Sequence, residues 1–351
     1  MYLDLIKISV PTILAFFLGL FFTPIATHFF FKYKMWKKYP RNESVNNPEF
    51  SKVHSDNAEL NTPRVGGIII WFSVILATLV FYFISLVVPS TSTEKINFLS
   101  RNQTLIPFIT LIFGSLLGLW DDLIQIYGHS KIARDDKSWR KWKASLIGLS
   151  SIFIGMWFFY KLGMDTVHIP FGGDLYLGIL IIPFFMIVAL ATFSGGVIDG
   201  LDGLSGGVFA SIFASYAVIA YTNNQIDIAA FCGVVTGSIL AFLWFNIPPA
   251  RFYMGETGIM GLTLMLATVA FLTDSALLLP VIALPLVITS GSVILQTISK
   301  KLRGGKRLFR LAPLHHHFEA LGWPSYKVTM RFWVLSAVFS IIGIILFVVS
   351  K

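Results

Sequence analysis

Ten long apolar stretches limit what this chain can fold into. A helix needs about 20 apolar residues to cross the hydrocarbon core of a bilayer, and ten stretches meet or approach that length. Backbone polar groups inside a bilayer must be paired within the segment, so we expect each stretch to be a spanning helix. The predicted spans are residues 10–31, 65–88, 104–120, 144–163, 177–193, 204–222, 228–247, 258–274, 277–298 and 328–350.

The composition also favours a membrane protein. Of the 351 residues, 55% are hydrophobic and 13% are charged, whereas a soluble domain has roughly 25% charged residues. The first stretch lacks the basic start and the short apolar core of a secretory signal, so we interpret it as a retained span. No linker or internal repeat divides the chain, which predicts a single domain over residues 1–351. The one cysteine, Cys232, excludes an intramolecular disulfide.

The basic residues predict the orientation in the membrane. The loops after spans 1, 3, 5, 7 and 9 contain 21 of the 27 Lys and Arg residues, so these loops should be cytoplasmic and both termini should lie outside. This topology and attraction to anionic membrane lipid explain the net charge of +9, and no nucleic acid is expected. Residues 167–176, with a Gly-Gly turn, predict a small outer β-hairpin. The fold class is therefore an all-α polytopic membrane protein of about ten transmembrane helices.

Acidic residues gather in three of the predicted cytoplasmic loops. Asp121 and Asp122 stand where span 3 should end, against the negative end of the helix dipole. Asp199 and Asp202 lie between spans 5 and 6 and would share one face if that segment were helical. Glu256 stands just before span 8. The structural alternatives are a solvated loop start, a Gly-rich turn and an acidic helix N-cap region.

Three consecutive histidines, His315 to His317, lie in the last predicted cytoplasmic loop. Adjacent side chains diverge, and neither cysteines nor a spaced His pair support zinc. A phosphate contact or a proton-transfer role near neutral pH suits them better. Carboxylates suit Mg²⁺, which usually also binds substrate phosphates, and phosphoryl transfer depends on charge neutralisation and positioning. Together the loops predict a Mg²⁺–phosphate site at one membrane surface.

Five motifs, in this order, resemble one known family. They are Thr62-Pro63-Arg64-Val65-Gly66-Gly67, Asp121-Asp122, Asp199-Gly200-Leu201-Asp202-Gly203-Leu204, the stretch from Phe245-Asn246 to Gly258, and Pro313-Leu314-His315-His316-His317-Phe318-Glu319. They resemble the polyprenyl-phosphate N-acetylhexosamine-1-phosphate transferase superfamily. The histidine run followed by Gly322-Trp323 is similar to its phospho-N-acetylmuramoyl-pentapeptide-transferase (MraY) branch. The resemblance covers nearly the whole chain.

The resemblance implies a reaction, its partners and a location. Phospho-MurNAc-pentapeptide would pass from UDP-MurNAc-pentapeptide to undecaprenyl phosphate, giving lipid I and UMP. The enzyme would need Mg²⁺, form a homodimer, and work at the cytoplasmic face of the bacterial inner membrane as a multi-pass protein.

The resemblance also implies roles for individual residues. Catalysis would involve six residues, namely Asp121, Asp122, Asp199, His315, His316 and His317. The metal ligands would be Glu256 and Asp121. Substrate binding would involve Lys143, Gly200, Leu201, Asp202, Asn246, Tyr253 and Gly255.

Six positions depart from the family pattern, which bears on metal geometry, nucleotide affinity and turnover. The family has Lys, Lys, Asn, Asn, Asp and Glu where this chain has Glu59, Gln125, Phe193, Gly196, Glu256 and Thr289. Three alternatives stay open beside this transferase. One is a transferase for another UDP-N-acetylhexosamine, and the second is a non-catalytic paralogue that binds lipid or partners. The third is a transporter, because intramembrane acids and broken helices mark ion paths, although the acids here cluster at one face.

Overall fold

The computed structural model describes residues 2–36, 61–99, 103–127 and 136–351. Within these ranges most residues are helical, and one β-hairpin lies between two of the helices. The elements are α1 (Tyr2–Lys32), α2 (Gly67–Val87), α3 (Thr91–Ile96), α4 (Leu105–Tyr127), α5 (Asp136–Leu162), β1 (Thr166–Ile169), β2 (Gly173–Tyr176), α6 (Ile181–Gly195), α7 (Leu204–Thr222), α8 (Ile226–Asn246), α9 (Gly255–Leu272), α10 (Leu279–Ile282), α11 (Leu284–Leu302), α12 (Leu314–Ala320) and α13 (Ser325–Ser350).

The predicted all-α membrane architecture is confirmed. Within the described ranges, nine helices are long and apolar enough to cross a membrane, and a bent pair supplies a tenth span if it is counted as one. The predicted span over 204–222 coincides with α7, and most others differ by a few residues at their ends. The exceptions are α1 and α5, which begin about two turns earlier than predicted, α4, which ends later, and the ninth span. The outward orientation of the termini stays a prediction.

The ninth predicted span is not one straight helix. The segment Ala276–Ile282 and the helix α11 meet at a bend of 83°, and Pro285 stands at the start of α11. Proline has no backbone N–H and its ring obstructs the preceding turn, so a helix breaks before it. Residues 277–298 therefore form a broken span, whose second part runs on to Leu302.

The third predicted span ends too early. Helix α4 continues past residue 120 to Tyr127, because the apolar pattern extends to Ile126, which is buried. Asp121 and Asp122 therefore lie inside the helix and not at its end, and their exposed fractions are only 1% and 0%. Two adjacent carboxylates this deeply enclosed require positive or hydrogen-bonding partners.

Helix α9 is the centre of the bundle and is almost wholly enclosed. It packs most extensively against α4. Gly118 allows this close approach, because a β-carbon there would lie 2.0 Å from the backbone oxygen of Glu256. The contact sets the acidic pair of α4 against the first turn of α9.

The predicted hairpin is present as β1 and β2, which pair antiparallel with His168 opposite Asp174. The backbone N–H of His168 donates to Asp274 Oδ1 at 3.4 Å, just beyond the C-terminal end of α9. At a rise of about 1.5 Å per residue, the hairpin is roughly 27 Å along α9 from Glu256. It lies at the opposite end of the bundle from the acidic pair.

Candidate functional site

Lys143 joins three helices at the acidic pair. Its Nζ lies 3.1 Å from Asp121 Oδ2 on α4 and 2.6 Å from Glu256 Oε1 at the start of α9. Lys143 is itself on α5, and its side chain is mostly buried. A partly buried ion pair is much less screened by water and salt than a surface pair. The predicted residues Lys143, Asp121 and Glu256 therefore form one connected charge cluster.

Asp121 accepts hydrogen bonds from three side chains. Gln125 Nε2 lies 2.9 Å from Oδ2, which also accepts from Lys143, and the indole N–H of Trp139 donates to Oδ1. Helical spacing explains the set, since residues four apart in a helix share a face. Gln125 follows Asp121 by four residues on α4, and Lys143 follows Trp139 by four residues on α5. Both oxygens of Asp121 are engaged, which holds the carboxylate in a fixed orientation.

Asp122 differs, because one of its oxygens remains open. Its Oδ2 accepts from the backbone N–H of Thr257 at 2.9 Å and from Thr257 Oγ1 at 2.7 Å. The other oxygen, Oδ1, is buried and has no hydrogen-bond partner among the described residues. The bonded oxygen caps the first turn of α9, whose free N–H groups and dipole favour negative charge. The open oxygen is free to accept from a ligand.

Asp199 joins the same helix end from the turn between α6 and α7. Its Oδ2 accepts from the N–H of Gly255 at 3.1 Å, and its Oδ1 accepts from Ser205 Oγ at 2.7 Å. Burial raises the pKa of Asp199, while the bonds from Ser205 and Gly255 and the charge of Arg64 act in the opposite direction. Asp122 and Asp199 thus cap neighbouring N–H groups of α9.

Asp199 and Asp202 would share a face only in a helical segment, and the structure has the alternative, a Gly-rich turn. Residues 199–203 form a turn, and Gly203 has a φ of 73°, a conformation that glycine adopts without steric cost and that ends any regular helix. Asp202 Oδ2 instead accepts from the N–H of Ala250 at 3.0 Å. The two carboxylates therefore serve different neighbours.

Two of the three histidines reach this turn. A β-carbon at Gly200 would lie 2.4 Å from His315 Nε2 and 3.0 Å from His316 Nε2. Both rings are buried, and His316 Nδ1 lies 2.8 Å from Glu319 Oε2.

His317 faces another way. Its Nδ1 accepts from the N–H of Arg310 at 3.2 Å. Burial and the charge of Arg310 lower the pKa of His317. The structure thus brings His315 and His316, but not His317, to the Gly200 turn.

Asn246, Tyr253 and Leu201 lie around the same turn. Asn246 Oδ1 accepts from Gly203 N at 3.1 Å and its Nδ2 donates to the Phe252 carbonyl at 2.8 Å, so the side chain braces two loops. Tyr253 pairs through its backbone with Pro63 and Gly66, and Leu201 is buried. Asn246 therefore connects the Gly200 turn, which includes Leu201, to the loop that carries Tyr253.

Sequence reasoning missed four side chains of the cluster, namely Arg64, Trp139, Ser205 and Thr257. Arg64 and Thr257 lie within quoted motifs, so their position was a usable signal. Trp139 carries no such signal, because an aromatic residue near a membrane surface is usually an interfacial anchor. Ser205 was equally hidden, since it lies one residue beyond its motif in a small-residue helix start.

Comparison with known proteins identifies the family. Residues 104–274 match the Glycosyl transferase family 4 domain. The chain is 36% identical to a phospho-N-acetylmuramoyl-pentapeptide-transferase of Geobacillus sp. (strain WCH70) over 338 residues, which cover 95% of this chain and 96% of the relative. The chain belongs to the phospho-N-acetylmuramoyl-pentapeptide-transferase family. Relatives with this name from Geobacillus thermodenitrificans (strain NG80-2) and Bacillus subtilis (strain 168) are 36% and 35% identical, each over 83% of this chain and 85% of the relative.

Membership of the phospho-N-acetylmuramoyl-pentapeptide-transferase family confirms the resemblance that the motifs carried. The relatives are bacterial, and the apolar helices make the chain a multi-pass membrane protein.

Four of the six departures from the family pattern have contacts in the structure that describe their present role or space. Gln125 donates to Asp121, and Glu256 reaches Lys143. A side chain at Gly196 would meet Ile259, since a β-carbon there lies 2.3 Å from its Cγ2. Thr289 is buried and bonded to its own helix at the Pro285 carbonyl. Nothing in the structure explains Phe193, and Glu59 lies outside the described residues.

The acidic cluster suits a divalent cation that prefers oxygen ligands. Asp122 contributes the open buried oxygen, and the side chain of Glu256 is about one-quarter exposed, which leaves it accessible from solvent. An uncompensated buried carboxylate oxygen is costly without a cation or a donor. Carboxylates at such a place are what Mg²⁺ uses when it also binds substrate phosphates, so these residues fit the ion that the family resemblance implies.

A second polar group lies at the hairpin end of the bundle. Ligand atoms of His168, Asp174 and Asp274 lie within 4.8 Å of one another, and His168 Nδ1 lies 2.9 Å from Asp174 Oδ1. This group connects β1 and β2 to the turn after α9. It is remote from Glu256 and is not part of the acidic cluster.

Proposed function

We propose that this chain, as a single transferase domain, transfers phospho-MurNAc-pentapeptide from its UDP carrier to undecaprenyl phosphate, giving lipid I and UMP. The observation that carries the proposal is the convergence of Asp121, Asp122, Asp199 and Glu256 around Lys143 and the first turn of α9. Positioning and charge neutralisation are what phosphoryl transfer requires of a protein. The family of the curated relatives supports the same reaction.

In this reaction, an oxygen of the lipid phosphate attacks the phosphorus that carries the sugar. A new P–O–P bond forms, and the bond to the UMP oxygen breaks. Asp122 would accept the remaining proton of the lipid phosphate at Oδ1, its open acceptor among the described residues. The second pKa of a phosphate monoester is about 6, so only part of the acceptor carries this proton at neutral pH. Asp121, whose oxygens are both engaged, orients Lys143 instead.

Mg²⁺ would be held by Glu256 beside Asp122, and when bound it would neutralise the charge of the diphosphate. The resemblance also implies Asp121 as a ligand, but three donors already engage both of its oxygens. His315 and His316 are proposed to contact the substrate beside Gly200. The active site is proposed to face the cytoplasm, following the distribution of basic residues.

The homodimer that the resemblance implies also stays a proposal. The mass of the protein in detergent, corrected for bound detergent, would distinguish one copy from two.

The test is UMP release by the purified full chain in detergent. We expect release that requires both UDP-MurNAc-pentapeptide and undecaprenyl phosphate and that EDTA abolishes. Release with UDP-GlcNAc but not with UDP-MurNAc-pentapeptide would favour a transferase for another UDP-N-acetylhexosamine. An absence of release from folded protein with either donor would favour a non-catalytic paralogue.

A further inference from the structure

Arg64 is held rigidly at the edge of the acidic cluster. Its backbone N–H donates to the Met35 carbonyl at 3.0 Å. On either side of it, the Pro63 carbonyl accepts from Tyr253 N at 2.8 Å and Gly66 N donates to the Tyr253 carbonyl at 2.9 Å. These bonds fix the Thr62 to Gly67 motif against the loop before α9. Backbone hydrogen bonds on both sides of Arg64 therefore fix the position from which its side chain extends.

The guanidinium of Arg64 has a buried N–H group without the partner that such a donor requires. Its Nε is buried and has no hydrogen-bond partner among the described residues. Its positive charge acts on both Asp122 and Asp199, yet it forms no ion pair with either. A buried charged donor without a partner costs more than a neutral one. The position is thus one that a ligand would complete.

The nearby carboxylates do not supply the missing bond, because neither Asp122 nor Asp199 is hydrogen-bonded to Arg64 and three of their four oxygens are held by other donors. Asp122 Oδ2 is bonded to Thr257, and the two oxygens of Asp199 are bonded to Ser205 and Gly255. The guanidinium therefore lies near two carboxylates while its Nε–H remains available. A guanidinium presents a planar fork of N–H donors that matches the oxygens of phosphate.

We propose that Arg64 is a phosphate-binding residue of this site. The ligand is a phosphate group, from either the nucleotide diphosphate of the donor or the phosphomonoester of the lipid acceptor. The proposal rests on the proposed function, since that function supplies both phosphates. Beside the open oxygen of Asp122, Arg64 would hold the phosphate by its charge while Asp122 accepts the proton.

The test compares Arg64→Gln, which removes the charge, with Arg64→Lys, which keeps the charge but loses the fork. Arg303→Gln is the matched control, because Arg303 is an exposed arginine in the loop after α11. Binding of UDP and of undecaprenyl phosphate to the purified full chain is measured by calorimetry, and KM for each substrate is measured separately from kcat. Melting temperatures establish that each variant is folded.

We expect Arg64→Gln to weaken one phosphate ligand by about 10- to 100-fold, since bonds to charged groups are the strong class. Arg64→Lys should fall between this variant and the wild type, and Arg303→Gln should stay within about twofold, as expected for a screened surface charge. A change in UDP affinity assigns Arg64 to the donor diphosphate. A change only in the affinity and KM for undecaprenyl phosphate assigns it to the acceptor.

Unchanged binding and unchanged KM for both substrates in folded Arg64→Gln would overturn the proposal. So would a wild-type protein that binds neither phosphate compound. Because binding is measured without turnover, a protein that releases no UMP still yields a result for Arg64. Failure of the proposed function is thereby distinguished from failure of this inference.

Discussion

Gly255→Ala perturbs the point where four parts of the site meet. Gly255 has a φ of 67°, and an added β-carbon would lie 1.9 Å from the Arg64 carbonyl oxygen and 2.6 Å from Asp122 Oδ2. The first contact is with backbone that is pinned by Met35 and Tyr253, so it cannot rotate away. The substitution must therefore displace the Arg64 segment or the start of α9.

The expected cost has two parts. A left-handed conformation costs a non-glycine residue about 1–2 kcal/mol, and forcing extra atoms into a packed site costs about 1–3 kcal/mol. We expect Gly255→Ala to lose about 2–5 kcal/mol of stability. Because Asp122 and Asp199 both bond to this helix start, we also expect UMP release to fall by about 100-fold or more, if roughly 3 kcal/mol of positioning is lost.

The assay is thermal unfolding in detergent together with UMP release, and the control is Gly148→Ala. Gly148 lies on α5, where an added β-carbon would meet Leu190 at 3.9 Å, an ordinary contact. That variant should keep the melting temperature and the activity of the wild type. If Gly255→Ala behaved like Gly148→Ala in both assays, the tight approach of Arg64 and Asp122 to Gly255 would be refuted.

Two further predictions concern the carboxylates. Asp122→Asn should keep the fold, because the amide oxygen still accepts from Thr257, but it should lower kcat by at least about 100-fold, as for loss of a positioned base; a kcat within tenfold of the wild type would contradict the role of the open oxygen. Burial raises the pKa of Asp199 in the folded state, so the folded protein holds this proton more tightly than the unfolded chain does. The contribution of Asp199 to stability is therefore full below about pH 4 and is lost as the pH rises through the raised pKa. The melting temperature of Asp199→Asn relative to wild type should therefore increase from pH 4 to pH 8, and a constant difference would contradict the prediction.

The sequence predicted most of the fold because a bilayer imposes a simple rule. A span must be long and apolar, and α7 begins and ends where that rule places it. The rule fails where a break depends on local backbone chemistry, as at Pro285 between the two parts of the ninth span. The rule also failed at Asp121 and Asp122, because a charged pair is typical of the end of a span. Helix α4 nevertheless continues past this pair to Tyr127.

The sequence predicted which residues belong to the candidate site better than it predicted how their side chains are arranged. Motif order brought Asp121, Asp199 and Glu256 to attention, but which oxygen is engaged depends on neighbours from other helices. Trp139 illustrates this limit, since only the packing of α5 on α4 makes its indole a donor to Asp121. The different partners of Asp199 and Asp202 depend on the turn at Gly203, which the sequence offered only as an alternative to a helical segment.

The central claim is that the acidic cluster of α4, α9 and the Gly200 turn transfers a phospho-sugar to a lipid phosphate. The most direct measurement is mass spectrometry of the lipid extracted after incubating the purified protein with UDP-MurNAc-pentapeptide, undecaprenyl phosphate and Mg²⁺. We predict an undecaprenyl-diphosphate carrying MurNAc-pentapeptide with the wild type, and about 100-fold less of it or lower with Asp122→Asn over the same initial-rate period. Extracts that contain only the starting lipid with folded wild-type protein, or equal product with both proteins, would contradict the account.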